Sequence, residues 1–240
     1  MAAAPILTLT NAGFYTAGKP ILSNLTLTLT EPRIGIIGRN GSGKTTLLRL
    51  LAGLITPTSG TVRLGTLDPA RDRKTMLTHL GILFQNPDHQ ILFPTVSEEL
   101  AFGLTQQNHP DPTQAVQTLL QSENRAHWAT AATHTLSQGQ RHYLCLLAVL
   151  VMNPAILLLD EPFAGLDLPT QSRLKRRLKA LPQQIITITH DPEAVAHADR
   201  ILWLDQGGIR ADGPPATVLP RFTAEMTRIG EGDADTTLPH

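Results

Sequence analysis

The sequence predicts an α/β protein whose main sheet is parallel and covered by helices on both faces. Short apolar strands alternate with helix-like segments along much of the 240 residues, which is typical of a parallel sheet. The first thirty residues show the period-two alternation of antiparallel strands, and the strand signal is lost over residues 86–144. We therefore expect one domain over residues 1–240, with a core at 1–85 and 145–220, an inserted helical subdomain at 86–144 and a short tail at 221–240.

The first half of the chain opens with two strands, expected at Leu7 to Thr10 and Ile21 to Leu29 and bounded by Gly and Pro. Ile34 to Ile37 is a short apolar strand, followed at once by a glycine-rich loop and a helical pattern at Thr45 to Ala52. This order predicts a strand, loop, helix unit. Two more strands are expected before the Asn-Pro-Asp break at 86–88, at Thr61 to Leu64 and Leu80 to Phe84.

The second half returns to strands, at Ile156 to Leu159, Ile185 to Thr189 and Ile201 to Leu204. A helix at Gln171 to Leu181 has an apolar stripe of three leucines. Its charged face is expected to be solvated, and it consists of Arg173, Lys175, Arg176, Arg177 and Lys179. The tail beyond Pro220 is polar, and we expect its last ten residues to be mobile.

The composition argues against nucleic acid as a partner, because Lys plus Arg and Asp plus Glu each number 20 and the formal net charge is zero. The one cysteine, Cys145, lies in an apolar run and is expected to be a buried hydrophobe in a reduced compartment. That run is too short to span a bilayer, and the first ten residues lack the basic start of a secretory signal. A cytoplasmic protein that reaches a membrane only through a partner is expected.

The glycine-rich loop fits the P-loop pattern of two glycines, a lysine and a hydroxyl at fixed offsets, as Gly38, Arg39, Asn40, Gly41, Ser42, Gly43, Lys44 and Thr45. Glycines let backbone N–H groups wrap phosphates, and the following helix adds its positive dipole end. Lys44 is expected to bind the β and γ phosphates and Thr45 to ligate Mg²⁺. Two carboxylates, Asp160 and Glu161, end a buried strand at the edge where parallel sheets bind ligands. They suit an Mg²⁺ ligand and a base for the attacking water, respectively.

The segment Leu136 to Gln140 resembles the signature of the ABC ATPases, usually Leu-Ser-Gly-Gly-Gln, with Gln138 in place of one glycine. Other family motifs follow in the same order over roughly residues 6–220: Gln85 resembles the Q-loop glutamine, Ala164 to Asp167 the D-loop, and His190 the switch histidine. Tyr15, or alternatively Phe14, is similar to the aromatic residue that stacks on adenine. A second departure is Tyr143, where many relatives carry arginine.

The resemblance implies the ABC ATPase fold, a RecA-like P-loop NTPase core with an antiparallel β subdomain and an inserted α-helical subdomain. It implies hydrolysis of ATP with Mg²⁺, with Glu161, His190 and Gln85 as catalytic residues and Thr45, Gln85 and Asp160 at the metal. The implied nucleotide-binding residues are Tyr15, Gly38, Asn40, Gly41, Ser42, Gly43, Lys44, Thr45, Thr46, Ser137, Gln138, Gly139, Gln140 and Asp167. In the family the signature meets the phosphate of the opposite subunit, so a homodimer or a pair with a related ATPase chain is implied.

Residues 85–103 resemble the Q-loop region of energy-coupling-factor importers, whose ATPases drive an integral membrane scaffold and a substrate-capture protein. This implies a peripheral location at the cytoplasmic face of the cell membrane and uptake of a vitamin or metal ion. The cobalt importer ATPase is the preferred match, with nickel, biotin and other solutes left open. A chromosome or repair ATPase acting on nucleic acid is disfavoured, because no heptads separate Lys44 from Ser137. A two-domain ATPase would need a longer chain, and a P-loop kinase has no use for the signature.

Overall fold

The computed structural model describes residues 6–231. The strands are β1 Leu7–Thr16, β2 Lys19–Leu29, β3 Arg33–Ile37, β4 Ser59–Leu64, β5 Leu80–Leu83, β6 Ile156–Asp160, β7 Gln184–Thr189, β8 Arg200–Asp205 and β9 Gly208–Gly213. The α-helices are α1 Lys44–Leu51, α2 Arg73–Met76, α3 Val96–Gln106, α4 Pro112–Ser122, α5 Gln138–Leu150, α6 Leu168–Lys179 and α7 Pro215–Glu231. Short 3₁₀ turns lie at Pro87–His89, Ala126–Trp128, Thr133–Thr135 and Pro192–Val195.

The main sheet has six strands in the order β5-β6-β7-β3-β8-β9, and its first five strands are parallel. Its central strands are apolar throughout because both faces are covered, and all five residues of β6 are buried. Parallel strands bring their carboxyl ends to one edge, so the residues that follow β3, β6 and β7 meet there. The predicted fold class, an α/β P-loop NTPase sheet with attached subdomains, is confirmed.

A smaller antiparallel sheet, ordered β2-β1-β4, packs on the main sheet through one of its faces. The alternating burial of β2, with Leu25, Leu27 and Leu29 inside and the threonines between them outside, is what the period-two pattern predicted. Both opening strands are longer than predicted, because the ladder between them runs from Leu7 opposite Leu29 to Thr16 opposite Lys19.

Helices α3, α4 and α5 pack around an apolar cluster of their own, which includes Leu100, Leu120 and Leu144. Helix α5 then continues past residue 144 and contributes Cys145, Leu146 and Val149 to the cluster beneath the main sheet. One helix therefore belongs to both packing units, and residue 144 is not a structural boundary. Cys145 is a buried free thiol, as expected.

The segment after Pro214 differs from the expected polar tail, because residues 215–231 form helix α7. Val218 and Phe222 of this helix are buried, and the Phe222 ring meets Trp203 edge-on at 5.4 Å between centroids. The sequence does not predict this helix because Pro220 lies inside it, and a proline within a helical pattern argues for an end or a break there. The last ten residues, which were expected to be mobile, lie outside the described residues except for Glu231.

The charged face of α6 is only partly solvated. Leu174, Leu178 and Leu181 are buried as predicted. Arg177 is not free, however, since its Nη2 lies 2.8 Å from a carboxylate oxygen of Glu123. Within residues 6–231, no helix is both long and apolar enough to cross a membrane.

Candidate functional site

The P-loop occupies residues 38–43 between β3 and α1, at the carboxyl edge of the main sheet. Lys44, the first residue of α1, is 7% exposed. Its ammonium donates to the carbonyl oxygens of Gly38 at 2.7 Å and Arg39 at 2.9 Å. The loop is thus wrapped around the lysine, which holds a positive charge at the amino end of a helix.

The glycines of the loop are required by its backbone. Gly41 and Gly43 have φ of 79° and 100°, which side chains rarely tolerate. A Cβ on Gly38 would lie 2.3 Å from the carbonyl oxygen of Leu204 and 2.6 Å from the Ser42 hydroxyl. These positions leave backbone N–H groups accessible along the loop, which is the property a phosphate cradle needs.

Asp160 ends β6 and is 8% exposed. Burial and the neighbouring Glu161 raise the pKa of this carboxyl, while the positive charges of Lys44 and Arg49 act to lower it. Burial lowers the pKa of Lys44, and Glu161 and Asp160 oppose that shift. The two groups stabilise each other's charged forms at a site that desolvates both of them.

Glu161 is held by three donors from the end of β7. Its Oε1 lies 2.8 Å from Nδ1 of His190 and accepts the His190 backbone N–H at 3.0 Å, while Oε2 accepts the Thr189 hydroxyl at 2.8 Å. Glu161 has a positive φ of 45°, a strained conformation for this residue type, and its N–H donates to Ile188. The predicted base and the predicted switch histidine are therefore hydrogen-bonded to each other.

One cavity of about 440 Å³ collects most of the predicted catalytic and phosphate-binding residues. It is lined by Asn40, Gly41, Gly43, Lys44, Thr45, Thr46, Gln85, Asp160, Glu161 and His190, together with Ile21. The sequence analysis did not single out Ile21, since an apolar residue in a strand carries no chemical signal. Gly38 and Ser42 are buried and do not line the cavity, and the Ser42 hydroxyl has no hydrogen-bond partner within residues 6–231.

The signature residues line a different cavity, of about 620 Å³. Ser137 caps α5 and forms a capping box with Gln140, whose side chain accepts the Ser137 N–H at 2.8 Å. Asp167 caps α6 by accepting the Thr170 N–H at 2.9 Å, and its hydrogen bonds to Thr170 lower its pKa. The predicted members of this cavity are Ser137, Gln138, Gly139, Gln140 and Asp167.

A third cleft, of about 940 Å³, is lined both by residues of the phosphate-binding site and by residues of the signature and the D-loop. Thr45, Gln85 and Asp160 line it, and so do Gln138 and Gly165. Ser137 does not line the cavity that holds Lys44. Tyr15 lines none of these three cavities and is 47% exposed near the end of β1. Phe14, the alternative residue for stacking on adenine, packs against the core.

The residues present suit ATP and Mg²⁺. A positive-φ glycine loop beside a buried lysine is a cradle for a polyphosphate. The carboxylate of Asp160, the hydroxyl of Thr45 and the amide of Gln85 border the same cavity, and Mg²⁺ prefers such oxygen donors. Bound there, Mg²⁺ would neutralise charge on the phosphates.

Sequence reasoning missed several residues that hold these groups in place. Thr189 was predicted only as part of a strand, but its hydroxyl holds Glu161. Arg125, Arg173, Arg176 and Arg177 line the signature cavity and give it a basic wall. Arg173, Arg176 and Arg177 belong to the run of charged residues on α6, which the sequence analysis assigned to a solvated face.

The family model described as "ABC transporter" matches residues 22–164. A biotin transport ATP-binding protein of Rhodobacter capsulatus, named BioM, is 49% identical over 90% of this chain and 94% of its own. An energy-coupling factor transporter ATP-binding protein of Mycoplasma pneumoniae, named EcfA1, is 33% identical over 88% of this chain and 79% of its own. Among solved structures, a dimeric ATP-binding cassette in a post-hydrolysis state with ADP and Pi is 25% identical, with a TM-score of 0.73, over 87% of this chain and 98% of that one.

The match covers more than half of the chain and includes the P-loop, Gln85, the signature and Glu161. The cavity at Lys44 is lined by the residues predicted to bind phosphate and to act in hydrolysis, on the fold that the family shares. The chain therefore belongs to the ABC transporter family, as an ATP-binding and ATP-hydrolysing subunit.

Proposed function

We propose that this chain is the ATPase of an energy-coupling-factor importer for a vitamin, with biotin as the preferred solute. The observation that carries the ATPase part is the meeting of Lys44, Asp160, Glu161 and His190 at one cavity. The importer part is supported by the relatives named for biotin transport and for energy-coupling factor transport. It is also supported by the resemblance of residues 85–103 to the Q-loop region of that group.

In this proposal, the loop N–H groups and Lys44 bind the phosphates, and Thr45, Gln85 and Asp160 hold Mg²⁺. Tyr15, which is exposed at the end of β1, stacks on adenine. Glu161 orients and polarises the attacking water. Its present contacts with His190 and Thr189 fix the carboxylate at the carboxyl edge of the sheet, where it can exchange a donor for water.

The chain works as a dimer, as ABC ATPases do. We propose that the partner is a second copy or a related ATPase chain. The separation of Ser137 from the Lys44 cavity supports this, because a helix N-terminus favours a bound phosphate and the phosphate loop of the same chain lies at a different cavity. Asp167 and residues 138–140 lie beside Ser137 and complete that surface.

Cobalt, the solute preferred from the sequence resemblance, finds no support in the relatives described above. The name of the Rhodobacter relative favours biotin, which the sequence analysis held as an alternative. We place the chain at the cytoplasmic face of the cell membrane, attached through an integral scaffold subunit that works with a substrate-capture subunit. No role on nucleic acid is proposed.

Uptake by cells tests this proposal. We expect cells that produce the wild-type chain with its membrane subunits to accumulate labelled biotin, and cells with Lys44→Ala to accumulate almost none. A tag on the chain should recover the membrane subunits from both. Labelled cobalt and nickel, measured in parallel, distinguish the alternatives. Equal biotin uptake by both strains would contradict the assignment.

The surface formed by Leu92, Phe93 and Phe102 supports a contact with a helix of the membrane scaffold. Leu92 is 67% exposed and Phe102 is 38% exposed, and the rings of Phe93 and Phe102 lie 5.1 Å apart. The backbone beneath them is rigid, since the buried Glu99 carboxylate accepts the N–H groups of both Leu92 and Phe93, at 2.8 and 2.9 Å. A fixed apolar surface of this kind suits an apolar helix.

Phe93→Asp is expected to release the chain from its membrane subunits while ATP hydrolysis by the isolated chain stays within about twofold of wild type, since a charge in an apolar contact is costly but Phe93 lies outside the nucleotide cavity. Co-purification and a thermal melt measure this. Leu54→Asp changes another exposed apolar residue, outside this surface, and is the matched control. A Phe93→Asp chain that melts several degrees lower yet still co-purifies would contradict the proposed contact.

A further inference from the structure

The carboxylate of Glu123 joins three elements that lie apart in the sequence. Its Oε2 accepts the hydroxyl of Tyr143 on α5, and its Oε1 accepts Nη2 of Arg177 on α6 at 2.8 Å. Glu123 itself follows the last residue of α4, and its side chain is only 11% exposed. The Glu123 carboxylate therefore connects the helical subdomain to α5, which begins at the signature, and to α6, which begins at the D-loop.

The surroundings of Glu123 restrict its movement. Arg125 donates to the Glu123 backbone carbonyl at 2.7 Å, and its guanidinium lies over the rings of Tyr143 at 4.5 Å and Trp128 at 5.0 Å. Burial and the Glu123 carboxylate raise the pKa of Tyr143 to about 12, so its hydroxyl remains a donor at any physiological pH. The Tyr143 and Arg177 contacts are both hydrogen bonds to a charged group in a partly buried place, which makes them strong ones.

Helices α5 and α6 approach each other closely near their amino ends. A Cβ on Gly139 would lie 3.0 Å from the Thr170 methyl, and one on Gly165 would lie 3.0 Å from the Gln138 amide. Tyr143 lies about 9 Å along α5 from Ser137, and Arg177 about 15 Å along α6 from Asp167, at 1.5 Å per residue. The contact at the amino ends can act as a pivot, and the link through Glu123 sets the angle between the helices.

We propose that Glu123 is a positioning residue: through Tyr143 and Arg177 it fixes the signature motif relative to the D-loop of the same chain, in the orientation that the partner's nucleotide requires. The inference rests on the dimer of the proposed function. Tyr143 and Arg177 line the cavity that the two motifs share, and Glu123 is hydrogen-bonded to both of them. Because the phenol of Tyr143 is neutral and the guanidinium of Arg177 is charged, the connection from Glu123 to α6 is an ion pair, whereas the connection to α5 is a hydrogen bond from a neutral donor.

The test measures ATP-driven dimerisation in a Glu161→Gln background, which blocks hydrolysis. Adding Glu123→Gln removes the charge and keeps the size of the side chain. We expect the ATP concentration for half-maximal dimer to rise by at least about fivefold, a typical coupling between sites. Binding of a fluorescent ATP analogue to the monomer should stay unchanged, because the Lys44 cavity does not include Glu123.

Tyr143→Phe serves as the milder variant, since it keeps the ring under Arg125 and removes only the donor to Glu123; dimerisation should weaken in the same direction. Lys179→Ala is the matched control. It removes an exposed charge from the same helix, outside the signature cavity, and no ion pair of Lys179 is found within residues 6–231. Its dimerisation should match that of the Glu161→Gln parent.

The outcomes separate this inference from the proposed function. If the parent does not dimerise with ATP, either alone or mixed with a related ATPase chain from its membrane complex, both are overturned. If the parent dimerises and both Glu123→Gln and Tyr143→Phe dimerise equally well, only the positioning role is wrong. A lower melting temperature in these variants with unchanged dimerisation would likewise assign Glu123 a purely structural role and overturn the inference.

Discussion

Lys44→Ala is expected to reduce ATP hydrolysis by about two orders of magnitude or more, the effect of removing a group that stabilises charge at a reacting phosphate. Lys44 is the one Lys or Arg side chain among the described residues that line the nucleotide cavity. Its loss also removes the positive charge that most strongly opposes the raised pKa of Asp160. Nucleotide affinity should fall together with the rate. Steady-state hydrolysis and nucleotide titration measure both.

The control for this experiment is Lys74→Ala, which removes an exposed lysine of α2 that does not line the nucleotide cavity. It should hydrolyse ATP at the wild-type rate. A melt of Lys44→Ala is needed as well, because Lys44 holds the carbonyls of Gly38 and Arg39 in place. A folded Lys44→Ala chain with more than about a tenth of wild-type activity would exclude the phosphate-clamp role, given the size of that effect.

Glu161→Gln is expected to lower hydrolysis by about a hundredfold or more, which is the usual contribution of a positioned base. ATP binding should persist, because Lys44, Thr45 and Asp160 are unchanged. An amide can still accept from the His190 N–H with its oxygen and donate to the Thr189 hydroxyl with its nitrogen, so the fold should be preserved. The ATP-bound dimer should then accumulate, and size exclusion with and without ATP detects it.

The matched control for this variant is Glu193→Gln, since Glu193 is an exposed carboxylate in the turn that follows β7. It should behave as wild type in both rate and elution. A Glu161→Gln chain that keeps near wild-type hydrolysis would show that another group activates the water. A chain that elutes as a monomer regardless of ATP would contradict the expected accumulation of the dimer.

Much of the site was readable from the sequence because its motifs are local. The loop between β3 and α1 needs glycine at positions of positive φ, and those glycines appear at fixed offsets from Lys44. Asp160 and Glu161 follow an apolar strand, and parallel strands end at one edge. The sequence thereby placed Lys44, Gln85, Asp160, Glu161 and His190 at a common edge, and the structure has them at one cavity.

The errors also have a local cause. Helix α7 is not predicted because Pro220 lies within the segment, although Val218, Phe222 and Met226 repeat at helical spacing and pack with residues of β8. The end of the helical subdomain at residue 144 is predicted from the loss of the strand signal over residues 86–144 and its return afterwards. Helix α5 runs through that point, since its two faces pack against different clusters.

The sequence by itself determined the fold class, the phosphate loop, the position of the two carboxylates that end β6 and follow it, and the membership of the ABC family, because each of these depends on motifs of residues a few positions apart. Only the tertiary structure decided that Glu161 is held by His190 and Thr189, that Ser137 lies at a different cavity from Lys44, and that Glu123 joins Tyr143 to Arg177. These contacts link residues 20 to 54 positions apart. Their geometry depends on how whole helices and strands pack, which no local pattern of residues records.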